Sequence, residues 1–233
     1  MNYLANFLSI ISLIFGFVSI ILSLENHFTF SAWAIIISVV FDGLDGQVAR
    51  MNPVPSDFGK ELDSLVDVIS FGVAPAVLGY AFLYQGFHFW PITALFIYLL
   101  CSVLRLAKYN LTPKDSVPYY FNGLPTTASG GVLASFILVF RVYAQKFPVP
   151  RQAFIILVFG LAYLMISKAR YMNLDGLKKL AAGNKLVFAG YIVVPLLVLW
   201  AAYFATSVFL PEIAILTLFA IYLISPLFSR KFV

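Results

Sequence analysis

Apolar residues run through this chain in blocks of about 20, the length a helix needs to cross a bilayer, and short stretches rich in charge and proline separate them. The blocks predict eight membrane spans, at 4–24, 29–49, 61–84, 87–107, 128–146, 151–170, 186–209 and 211–228. No strand-like alternation of the kind a membrane barrel requires is present, so the pattern reads as an all-α integral membrane protein whose backbone is satisfied within helices. Nothing basic precedes the first span and no small-residue cleavage site follows it, so that span is expected to be retained as a helix. One window breaks the apolar pattern: "FDGLDGQVARMNPVPSDFGKELDSLVDVISFG", residues 41–72. It holds Asp42, Asp45, Asp57, Glu61, Asp63 and Asp67, six of the ten acidic residues in the chain.

Composition narrows the field. The chain is 62% hydrophobic and 11% charged, with 24 Phe and 13 Tyr, far from a soluble domain. Cys101 is the single cysteine, which excludes an intrachain disulfide and a thiolate metal cluster. Neither a Walker loop, a dinucleotide fingerprint nor an HExxH motif occurs, and nothing points to nucleic acid. His27 and His88 fall on the side opposite the acidic window, and Trp33 and Trp90 read as interfacial belt residues.

Basic residues set the orientation. Arg50, Lys60, Arg105, Lys108, Lys114, Lys168, Arg170, Lys178, Lys179, Lys185, Arg230 and Lys231, twelve of the fifteen, fall at one side of an eight-span arrangement. By the positive-inside rule that side is cytoplasmic, so both termini and the acidic window are expected to face the cytoplasm of a multi-pass cell membrane.

Within the window, Asp42, Asp45 and Ala49 stand at i, i+3 and i+7, one helical face at the end of span 2. "MNPVP" is unsuited to a helix, and Ser56 is a suitable N-cap for span 3. Gly59, Asp63 and Asp67 then share a face at i, i+4 and i+8. Two antiparallel helices can point these faces at each other and gather four carboxylates at the membrane surface. Like charges held in a low dielectric need protons or cations, and Mg²⁺ or Mn²⁺ prefer carboxylate oxygen. Two such ions about 4 Å apart form a clamp suited to displacement at phosphorus. Gly46, Ala49 and Gly59 leave bare backbone for a nucleotide, and Arg50, a turn after Gly46, offers a phosphate ligand. Asp42 and Asp45 alone would fit helix pairing or packing better than a metal site, and glycines in spans commonly serve packing. A transporter using the aspartates as a relay is a further alternative. That reading requires acidic residues spread through the membrane depth, whereas these crowd one side.

The run Asp42-x2-Asp45-Gly46-x2-Ala49-Arg50-x8-Gly59-x3-Asp63-x3-Asp67 resembles, at every fixed position, the signature of the CDP-alcohol phosphatidyltransferases. These membrane enzymes move a phosphoalcohol from a CDP donor to a hydroxyl acceptor. The resemblance implies a dinuclear site of two Mg²⁺ or Mn²⁺ ions. Asp42, Asp45 and Asp63 would ligate them, with Asp67 close to the ions and serving as general base. Asn6, Gly46, Ala49, Arg50 and Gly59 would line the CDP pocket, and a homodimer is the assembly common in such relatives.

Further stretches are similar to the serine-using branch of that family: "ELDSLVDVISFGVAPA" from Glu61, "RLAKYN" from Arg105, "FNGLPTTASGG" from Phe121 and "LMISKARY" from Leu164. That similarity implies CDP-diacylglycerol and L-serine as substrates and CMP as a product. Glycerol 3-phosphate and inositol phosphate stand as rival acceptors, and an ether-lipid donor as a rival to the diacyl ester. The carboxylate of serine would need cationic and polar partners, for which Arg105, Lys108, Asn110 and Arg170 stand at the appropriate side. The same residues also suit ordinary interfacial anchoring. Three positions depart from the branch: Lys108, where Arg is more frequent, Thr127, where Pro is, and Ser12, where Asn is. On this reading residues 1–185 form a six-helix catalytic core and 186–233 an accessory pair of helices in the same membrane unit.

Overall fold

The computed structural model describes residues 3–50, 57–84, 89–111, 120–143, 151–172 and 211–229. Helix α1 covers Tyr3–Leu24 and α2 Phe28–Arg50. A continuous rod follows, made of α3 (Asp57–Asp67), a π-helical turn (Val68–Val73) and α4 (Ala74–Leu83). Beyond it lie α5 (Phe89–Leu111), α6 (Thr126–Tyr143), α7 (Arg151–Ile166) and α8 (Pro211–Ser229). The described residues thus form seven helical rods. Tyr3–Leu24, Phe28–Ala49, Asp57–Leu83 and Phe89–Leu111 are long and apolar enough to cross a membrane.

The all-α membrane class is borne out, whereas a count of eight spans is not reached among the described residues. The expected span at 186–209 lies outside them, as does the expected cap Ser56. Two further differences come from extended segments. Tyr120–Asn122 (β1) and Arg170–Met172 (β2) pair antiparallel, with Phe121 opposite Tyr171. Span 6 therefore stops as a helix at Ile166 rather than running to 170. Ser167 Oγ folds back onto the carbonyl of Leu164 (2.8 Å), and Leu124 N–H donates to that carbonyl at 3.0 Å. Gly123, at φ +81°, makes the turn that lets the backbone lie against Met165, a conformation that glycine adopts at little cost.

Helix α1 wears its polarity inside out. Leu4, Phe7, Ile10, Ile14 and Phe17 are exposed, while Asn6, Ser9, Ser12, Gly16, Ser19 and Ser23 are buried. Lipid solvates the apolar face as well as a protein core would, so small residues that allow close backbone approach take the packed face. Ser12 and Ser38 Oγ atoms lie 2.7 Å apart, and Ser31 Oγ stands 2.8 Å from Ser19 Oγ and 2.7 Å from Ser23 Oγ. This ladder locks α1 to α2. It also gives the departure at Ser12 a packing role in the α1–α2 seam.

Helix α1 packs along the third rod as well, with Ser70 Oγ donating to the carbonyl of Ser12 at 3.3 Å. The core beneath the site is formed by Phe71, Tyr98, Leu124, Leu133 and Met165, all essentially without solvent contact. Tyr98 Oη donates to the carbonyl of Phe71 at 2.8 Å. This bond ties α5 to the π turn, where the wider helix leaves carbonyls free to accept from outside.

Candidate active site

The C-terminal end of α2 and the N-terminal half of the third rod belong to one end of the bundle. Carboxylate oxygens of Asp42, Asp63 and Asp67 come within 4.8 Å of one another there. Helix α1 packs extensively against both α2 and α3, while the backbones of α2 and α3 stay further from each other. The carboxylates bridge the two helices, Asp42 and Asp67 meeting side chain to side chain.

Asp45 lies outside this group of three. It is 4% exposed and stands within reach of Ser9 on α1. Residues three apart on a helix differ by about 60° in direction, and that angle turns Asp45 toward α1. It still acts electrostatically on the same centre, through Asp42 and Asp63.

Among the described residues, the guanidinium of Arg105 stands with these four carboxylates. Arg105 of α5 acts electrostatically on both Asp42 and Asp67. Its Nη1 donates to Thr126 Oγ1 at 2.8 Å and its charge sits 5.9 Å from the centre of the Tyr109 ring. Thr127 Oγ1 donates to Asp42 Oδ2 at 3.1 Å. Together, Thr126 and Thr127 at the start of α6 hold one cation and one anion of the site.

The donor set fits a hard divalent cation. It is entirely oxygen, and Asp67 Oδ1 and Asp45 Oδ2 are buried without a hydrogen-bond partner among the described residues. Buried carboxylate oxygens left unpaired are costly, and an oxygen-seeking cation is the partner that relieves them.

The remaining expected site residues distribute as follows. Asn6 is buried at 9% exposure near the start of α1, next to the buried Ser9 face. Gly46 and Ala49 occupy the last turns of α2 and Gly59 the first turn of α3, at the same end of the bundle. Arg50 closes α2, and its side chain lies outside the described residues. Asn110, in the last turn of α5, donates through Nδ2 to Ser64 Oγ at 2.9 Å, and Lys60 Nζ donates to the Asn110 carbonyl at 2.8 Å. Both bonds clip α5 to α3. Asn110 Oδ1 and Arg105 Nε are buried and unpartnered among the described residues. Lys108 is exposed in the last turns of α5, while Arg170 is exposed in β2, opposite Asn122, rather than ending a helix. Sequence reasoning missed Thr126 as the partner of Arg105. The last helix was expected at 211–228 and is found at Pro211–Ser229; what the sequence did not show is its seat on α6 and β2, through Phe219 on Gly131 and Tyr222 on Tyr171.

The family profile for CDP-alcohol phosphatidyltransferase matches residues 2–220. A CDP-diacylglycerol–serine O-phosphatidyltransferase of Helicobacter pylori is 34% identical over 171 residues, 72% of this chain and 70% of that protein. One of the same name from Bacillus subtilis is 34% identical over 185 residues, 79% of this chain and 96% of that protein. An archaetidylserine synthase of Methanothermobacter thermautotrophicus is 35% identical over 176 residues, 75% of this chain and 71% of that protein.

Proposed function

Because this chain belongs to the CDP-alcohol phosphatidyltransferase family, we propose that it transfers a phosphatidyl group from CDP-diacylglycerol to the hydroxyl of L-serine. CMP is released and phosphatidylserine formed. The observation that carries this reading is the meeting of Asp42, Asp63 and Asp67 within 4.8 Å, with Arg105 acting on two of them. Serine as acceptor is supported by the names of relatives that match this chain at about a third of the aligned positions; the lipid part of those names varies while serine stays.

Asp42, Asp45, Asp63 and Asp67 would hold two divalent ions, Mg²⁺ or Mn²⁺. When bound, the ions supply neutralisation of the diphosphate and of the charge that builds on the departing CMP oxygen. The protein's own groups do the rest. Asp67 Oδ1, buried and unpartnered among the described residues, takes the proton of the serine hydroxyl. The freed oxygen bonds to the lipid-bearing phosphorus as the phosphorus–oxygen bond to CMP breaks. Arg105 binds the serine carboxylate, since Nε is left over after Nη1 has bonded Thr126, and Asn110 Oδ1 is an acceptor of the kind an ammonium group requires. Lys108 and Arg170 add positive potential at the mouth. Asn6, Gly46, Ala49, Arg50 and Gly59 cradle the cytidine diphosphate from the ends of α1, α2 and α3. Residues 1–185 carry the reaction, at the cytoplasmic face of a cell membrane, as the basic-residue bias supports.

The test is CMP release by purified protein given CDP-diacylglycerol and Mn²⁺ or Mg²⁺, with serine, glycerol 3-phosphate and inositol phosphate offered separately. Release with serine alone is expected. Release with glycerol 3-phosphate and none with serine would sink the choice of acceptor while leaving the family chemistry intact.

A further inference from the structure

Ser64 of α3 stands between two partners that settle which way the Asn110 amide is turned. Its Oγ donates its one proton to the carbonyl of Lys60, a turn earlier on the same helix, at 3.1 Å. With that proton committed, the oxygen can only accept, and Asn110 Nδ2 supplies the donor at 2.9 Å. Were the amide turned over, Oδ1 and the Lys60 carbonyl would compete for a single proton. The backbone at Asn110 is fixed as well, its carbonyl accepting from Lys60 Nζ at 2.8 Å. Oδ1 is thereby directed away from Ser64, and it is buried without a partner among the described residues. A buried amide oxygen left unpaired is costly, so a donor arriving with a ligand relieves it. Ser64 follows Asp63 directly and stands a turn before Asp67. The amide is therefore anchored at the level of α3 that supplies two of the clustered carboxylates.

We propose that Ser64 is a positioning residue for acceptor recognition: it holds the Asn110 amide with Oδ1 turned to the acceptor's ammonium. An ammonium offers three donors and no acceptor, so Oδ1 and not Nδ2 must face it. Glycerol 3-phosphate and inositol phosphate bring phosphate oxygens instead, to which an amide oxygen cannot donate. The orientation that Ser64 imposes thus favours an amino alcohol over a phosphorylated one. This inference rests on the reading that Asn110 Oδ1 receives the ammonium of serine.

Steady-state kinetics of the full chain test it. Ser64→Ala removes the hydroxyl, suits a helix and frees the amide to turn. It should raise KM for serine about fivefold, the scale of one neutral hydrogen bond, with kcat and KM for CDP-diacylglycerol unchanged. Ser64→Thr keeps a hydroxyl and should keep the wild-type KM. Lys60→Met loses the bond to the Asn110 carbonyl but leaves the amide oriented, so it too should keep that KM. In an Asn110→Ala background, Ser64→Ala should add nothing. Serine without its ammonium, 3-hydroxypropionate, should compete no less well in Ser64→Ala than in the wild type. A normal KM for serine in Ser64→Ala, an equal loss toward both substrates or a failure of that variant to fold would overturn the inference. So would the same rise in Ser64→Thr or Lys60→Met, a full additive loss in the double variant, or weaker competition by 3-hydroxypropionate in Ser64→Ala. Those outcomes leave serine transfer by the wild type standing. No serine-dependent CMP release from the wild type would instead overturn the proposed function, and this inference with it.

Discussion

Thr127 Oγ1 donates a hydrogen bond to Asp42 Oδ2 at 3.1 Å, joining the start of α6 to the acidic centre. The residue at this position departs from the family branch, which more often has proline there and so no hydroxyl to donate. A hydrogen bond to a ligand carboxylate orients it, and loss of such a partner commonly costs 10–100-fold in metal affinity. Thr127→Val is therefore expected to raise the Mn²⁺ or Mg²⁺ concentration for half-maximal CMP release by about tenfold. The activity at saturating metal should be largely kept, and a metal titration of the purified variant checks this.

Removal of charge from the centre has a sharper expected outcome. Asp42→Asn and Asp63→Asn should abolish CMP release in folded protein, because each takes a charged oxygen from the cluster. Asp67→Asn should slow turnover by about 10²–10⁴, as loss of a general base does, while CDP-diacylglycerol still binds. Turnover measured beside equilibrium binding of the CDP-lipid separates the two effects. Near-normal turnover in any of the three variants would contradict the assigned roles.

Much of this centre was legible in the sequence, because spacing on a helix fixes direction. The i, i+4 relation of Asp63 and Asp67 on α3 put both on one face, and both join the cluster with Asp42. Asp45 was not so readable. Its i+3 offset left the choice between facing α3 and facing α1 to the way the helices pack, and the serine ladder on α1 decides it. The β1–β2 pair was hidden for another reason. Three-residue strands carry too little alternation to be read, and "ISKARY" continues a helical pattern until the pairing of Tyr171 with Phe121 overrides it. The seat of Phe219 on α6 and of Tyr222 on Tyr171 was invisible because only tertiary packing brings α8 to them.

The close seat of α1 on the third rod gives a stability prediction. A Cβ on Gly16 would stand 2.8 Å from the Cα of Ser70, a backbone atom that no rotamer change can move. Gly16→Ala should therefore destabilise the detergent-solubilised protein by about 1–3 kcal/mol, the usual scale of overpacking. Its thermal midpoint should fall, and activity should fall with it, because Ser70 sits three residues after Asp67. Gly160, where an added Cβ would meet no neighbouring atom within 4 Å among the described residues, should accept alanine without loss.

Topology is open to a direct check. From the sequence, the basic residues are expected on the same side as the acidic window, so a reporter fused after Val233 and a cysteine label in the 108–120 segment should both report the cytoplasm. A signal from the opposite side at either position would contradict the orientation.

If this protein joins serine to a lipid phosphate at a metal-dependent carboxylate centre, a label on the acceptor must pass into the lipid. Isotope-labelled serine tests it most directly: purified protein is supplied with CDP-diacylglycerol and Mn²⁺, and the lipid extract is analysed by mass spectrometry beside the CMP formed. Labelled phosphatidylserine equal in amount to CMP is expected, and neither product when a chelator is present. CMP without label in the lipid, or labelled lipid formed at an undiminished rate in chelator, would contradict it.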